Sequence, residues 1–67
     1  MIVKAESCWT GHGDRFFWRL TLPSRQNFRR LILPGTEWDR KTAIEAKDLI
    51  LTYYPNVRRG SIRFRVV

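Results

Sequence analysis

The chain has 67 residues and a formal net charge of +7, from 13 Lys plus Arg against 6 Asp plus Glu. That length fits one small domain, whose core takes only about 60% of the unfolded chain's surface out of water; three Trp, four Phe and two Tyr supply bulk to fill it without cross-links. A single Cys and a single His exclude an internal disulfide and a structural zinc site, no stretch approaches membrane-spanning length, and the opening residues lack a signal-peptide pattern. The expectation is a cytoplasmic protein with no metal, no cofactor and no membrane partner.

Residues 2–10 alternate as a first strand, with Val3, Ala5, Ser7 and Trp9 on one parity and Lys4, Glu6, Cys8 and Thr10 on the other; Val3 and Trp9 choose the inner face. Cys8 in such a run reads as a small, buried hydrophobe rather than a reactive thiol. Gly11-His12-Gly13-Asp14 follows as a hairpin turn, because two glycines can take positive φ.

Residues 15–22, Arg-Phe-Phe-Trp-Arg-Leu-Thr-Leu, alternate on a two-residue period and form the second strand. Phe16, Trp18, Leu20 and Leu22 point inward, which turns Arg15, Phe17, Arg19 and Thr21 outward. A sheet face with an aromatic between two guanidinium groups suits phosphate oxygens and base edges. Pro23 to Asn27 closes a second hairpin, with Arg25 at its tip, and a third strand runs over 28–33. Taking Leu31 and Leu33 as inward leaves Arg30 outward beside Phe17 and Arg19. Pro34-Gly35 ends the strand in the order a type II turn prefers.

From residue 40 to 54 the period is helical: Ala43, Ala46, Leu49, Ile50 and Tyr53 share the side facing the sheet. Thr42 and Glu45 have capping-box spacing, Asp39 offers an earlier cap, and Pro55-Asn56 ends the helix. Ile44, Leu51 and Tyr54 lie off that stripe and could meet either the rest of the chain or a second protein. A last strand, 61–67, turns Ile62, Phe64 and Val66 inward and Arg63 and Arg65 outward, and its return after a helix lets it lie parallel to an earlier strand. The expected fold is α+β: a small antiparallel sheet of three strands, then a helix packed on one face, then a C-terminal strand.

The charge is unevenly placed. Residues 39–54 are balanced, so the whole excess lies on strands and loops, and ten of the 13 basic residues are Arg. The acids are scattered and no nucleophile, base and orienting group assemble around His12, so binding rather than catalysis is expected to carry the function.

Arg-and-aromatic strands leading into Thr42-Ala43-Ile44-Glu45-Ala46 resemble the three-stranded-sheet-plus-helix DNA-binding domains of phage and transposon integrases and of plant ethylene-response factors. The resemblance implies a sheet entering the major groove of duplex DNA, with Arg15, Phe17, Arg19 and Arg30 touching bases and phosphates; Arg25 at the hairpin tip would reach the backbone. It suits an accessory or regulatory protein of a phage or mobile element. Two departures stand: the connection from Leu33 to Thr42 is longer than that family's tight turn, and the strand after the helix is extra. DNA is preferred over RNA as partner; an RNA-binding sheet and a protein-binding or dimerising regulator using Ile44, Leu51 and Tyr54 are the alternatives.

Overall fold

The structure, a computed structural model, describes residues 1–23 and 29–67. The second hairpin's turn, Arg25 at its tip and Phe28 at the expected start of the third strand lie outside the described residues. Strands β1 (Ile2–Trp9), β2 (Phe16–Leu22), β3 (Arg29–Pro34) and β4 (Arg63–Val66) form one sheet in the order β3-β2-β1-β4, with helix α1 (Arg40–Tyr53) between β3 and β4 in sequence. β1 pairs antiparallel with β2, and β2 with β3; β4 lies parallel to β1. The sheet is therefore mixed rather than wholly antiparallel. Because β3 and β4 run the same way on opposite edges, the chain must cross over a face between them, and α1 is that crossover.

The hairpin between β1 and β2 closes as its glycines allow. Gly11 and Gly13 have φ of +89° and +54°, Thr10 N–H donates to Arg15 O at 3.1 Å, and Arg15 N–H donates to His12 O at 3.2 Å. At this same end of β2, Pro34 is the last residue of β3, opposite Phe17, and Gly35 N–H donates to Phe16 O at 3.2 Å. The strand ends at the proline, and a bend at Thr36 follows.

The helix begins one residue after Asp39, whose carboxylate accepts the Thr42 N–H at 2.8 Å. Thr42 is not the cap: its hydroxyl donates to Asp39 Oδ1 at 2.9 Å and lies 3.0 Å from Glu37 O. A cap at residue 39 satisfies an amide that a start at residue 42 would have left to water.

Val3, Ala5, Trp18, Leu20 and Leu22 from the sheet, Ala46 and Ile50 from α1, and Ile62 before β4 form the core, all buried. The inward choice of Leu31 and Leu33 holds, since they pair with Leu20 and Trp18 and pack on this cluster. Three expectations, one each for the helix, the last strand and the first strand, are corrected. Tyr53 is 63% exposed, because it falls past the end of the sheet-facing stripe. Val66 is 46% exposed on the outermost strand, while Ile62 is buried and Phe64 half-buried. Trp9 has the inward parity but is 61% exposed at the far end of β1; its indole N–H donates to Gly13 O at 2.8 Å. Trp38, in the connection before α1, stands edge-on to both Trp18 and Phe64, with centroids 5.1 and 5.0 Å apart.

Candidate functional site

Strand registers define what the face opposite α1 carries. One row across the sheet is Arg30, Thr21, Lys4 and Arg65, running from β3 to β4. The next is Ile32, Arg19 and Glu6, followed by Pro34, Phe17 and Cys8; Ile2 and Arg63 form a short row on the other flank. Among the described residues this face has five cations, from Lys4, Arg19, Arg30, Arg63 and Arg65, and one carboxylate, Glu6. It is polar and basic at one end and apolar at the other, where Phe17 and Cys8 are half-buried and Ile32 is 54% exposed.

The alternation of each strand produces this arrangement, because the same parity that puts Val3, Ala5, Trp18 and Leu20 into the core puts Lys4, Glu6, Arg19 and Thr21 outside. Arg19 Nη2 lies 3.1 Å from Glu6 Oε2, and Lys4 Nζ lies 3.7 Å from Glu6 Oε1, so one carboxylate bridges two cations on neighbouring strands. Hydrogen bonding from Arg19 holds the Glu6 carboxyl below its ordinary range, against an opposing desolvation and with help from the Arg19 and Lys4 charges. Arg19 Nε is buried with no acceptor among the described residues. Lys4, Glu6, Arg19, Thr21 and Arg30 line an open depression of about 350 Å³.

Of the residues expected to form a site, the structure brings Phe17, Arg19 and Arg30 onto one face. Arg15 is exposed in the hairpin, just outside β2, and Arg25 lies outside the described residues. Cys8, expected buried, is half-buried on this outer face, opposite Phe17. Lys4, Arg63 and Arg65 were outward by parity in the sequence, but the position of β1 between β2 and β4 is what joins them to Arg19 and Arg30. The Ile44, Leu51 and Tyr54 trio divides: Leu51 and Tyr54 pack on the chain's own core, and Ile44 stays 47% exposed.

On the helix side Arg59 is paired with Asp48, tying the turn before β4 to α1. No helix among the described residues is long and apolar enough to cross a membrane, and no group of three His, Cys, Asp or Glu among them is placed to hold a metal ion. No family model, curated protein or solved structure matches the chain.

A face of this kind can hold a polyanion. Its cations sit on neighbouring strands about 4.8 Å apart, and four of the five are guanidinium groups able to take two phosphate oxygens each.

Proposed function

We propose that this protein binds nucleic acid, double-stranded DNA in preference to RNA, through the sheet face opposite α1. The observation that carries the reading is the five-to-one excess of cations over carboxylates on that face, in a chain whose helical segment is charge-balanced. Counterion release makes such a surface attractive to phosphate backbones irrespective of sequence. Duplex is preferred because Phe17 is the only aromatic on the face among the described residues and is half-buried, whereas single-strand readers stack successive bases on several exposed rings.

Four strands span about 14 Å of backbone, slightly more than the ~12 Å major groove. The central strands β1 and β2 would lie over the groove, with Phe17 toward base edges, while Arg19, Arg30 and Arg65 meet backbone phosphates. This agrees with the role implied by the resemblance to integrase and ethylene-response DNA-binding domains, with β4 as an added basic edge. A phage or mobile-element setting belongs to the same proposal.

Titration of labelled duplex DNA, single-stranded DNA and structured RNA at two salt concentrations tests it. Duplex should bind tightest, with affinity falling steeply as salt rises, and the Arg19→Ala/Arg30→Ala double variant should bind at least tenfold more weakly with an unchanged amide spectrum. Equal affinity of parent and double variant for every nucleic acid overturns the reading.

A further inference from the structure

We infer that the depression between Lys4, Arg19, Thr21 and Arg30 is the seat of one backbone phosphate, and that Glu6 occupies it as an internal competitor until nucleic acid displaces it. The inference rests on the proposed function and specifies one contact within it. Glu6 places its two oxygens on two cations of different strands, 3.1 Å from Arg19 Nη2 and 3.7 Å from Lys4 Nζ. That is the bridging geometry a phosphodiester's two free oxygens would adopt. Thr21, directly opposite Lys4, adds a hydroxyl, and Arg30, opposite Thr21, adds a third cation on the rim.

Glu6 leaves the seat unsaturated. Among the described residues the Arg19 fork gives Glu6 one donor, Nη2, and its buried Nε–H has no acceptor. A single carboxylate among three cations leaves a net positive site, and the depression stays open to solvent beside it. As the one acid on the face among the described residues, Glu6 sits among Lys4, Arg19 and Arg30, so binding must exchange one anion for another rather than fill an empty cleft. Such an exchange lowers affinity for every phosphate and leaves selectivity to the rest of the face.

The experiment compares Glu6→Gln with Asp14→Asn, which makes the same change of charge in the exposed β1–β2 hairpin. Duplex DNA is followed by anisotropy, and inorganic phosphate by amide chemical shifts. Glu6→Gln should tighten duplex binding several-fold beyond Asp14→Asn and steepen the salt slope by about one unit. Phosphate should shift the amides of Lys4, Arg19 and Thr21 more in Glu6→Gln than in the parent. Glu6→Thr, which suits a strand, should repeat the gain if Gln perturbs the sheet. Equal gains in Glu6→Gln and Asp14→Asn, or none, overturn the seat while leaving the binding face intact. Absence of duplex binding by parent and both Glu6 variants overturns the proposed function and this inference with it.

Discussion

The Trp38 ring meets the Phe64 ring edge-on, with centroids 5.0 Å apart and planes at 66°. Trp38 does the same to Trp18 on its other side, at 5.1 Å and 74°. One residue from the connection before α1 thus links β2 to β4 across the strand between them. Edge-to-face pairs add ~0.5–1.5 kcal/mol each beyond the area they bury.

Trp38→Ala should therefore destabilise the protein by roughly 2–4 kcal/mol, somewhat under the loss for a fully buried Trp because Trp38 keeps some exposure. Trp38→Phe should recover part of that loss. Denaturant melts measure both, and a Trp38→Ala midpoint equal to the parent's would place the connection outside the fold's support.

The last strand makes a sharper comparison. Ile62 is 1% exposed and Val66 46% exposed, although both have the inward parity. Ile62→Ala should cost ~2–5 kcal/mol and Val66→Ala less than about 1. Ile50→Ala on the helix should resemble Ile62→Ala, since Ile50 is fully buried. Urea midpoints rank the three, and a Val66 loss as large as that of Ile62 contradicts the packing.

How far the sequence alone carried these elements depended on period and neighbours. Alternation in β2 identified Trp18, Leu20 and Leu22 as inward, and the helical period identified Ala46 and Ile50, because each signal reflects one face of one element. The fates of Trp9, Tyr53 and Val66 were not legible: all have the correct phase, but each is the last residue of its element. Trp38 was hidden because a tryptophan in an irregular connection has no period. For the site, parity gave Arg19 and Arg30 their direction, yet only the strand order β3-β2-β1-β4 puts Lys4 and Arg65 in one row with Arg30. Strand order is set by long-range pairing, which local pattern does not encode.

Acid should weaken the fold through two carboxylates. Asp39 is held below its ordinary range by the Thr42 N–H and hydroxyl, and Glu6 by the hydrogen bond from Arg19. A carboxyl with a lowered folded-state pKa contributes stability above its unfolded value, and that contribution is lost as pH falls through about 4 and below. Asp39→Asn should lower the melting temperature at pH 7 and by less at acid pH, as the parent's own charged cap is protonated. A constant difference at both pH values would show that the Asp39 charge contributes nothing.

Leu51 and Tyr54 distinguish an internal role from a docking strip. Both pack on the core, so Leu51→Ala should cost ~1–3 kcal/mol in the isolated chain, whereas Ile44→Asp on the exposed side of α1 should change stability by less than about 0.5. An unchanged melt for Leu51→Ala would return that residue to the surface and revive a protein-partner reading.

Arg63 and Arg65 give the last test; both stand outward on the edge strand, and Arg63 Nη1 also donates to Gly60 O at 3.0 Å. Arg65 stands opposite Lys4 in the row that ends at Arg30, and Arg63 stands opposite Ile2 on the flank. If both meet the phosphate backbone, the Arg63→Ala/Arg65→Ala variant should flatten the slope of log affinity against log salt by about two units and weaken binding to all duplex sequences alike. Arg15, exposed in the hairpin, should contribute less than either when changed to Ala. The discriminating measurement is the slope rather than affinity at one salt, since a lost base contact weakens binding without altering counterion release. A slope unchanged in the double variant would remove β4 from the interface and confine it to β1, β2 and β3.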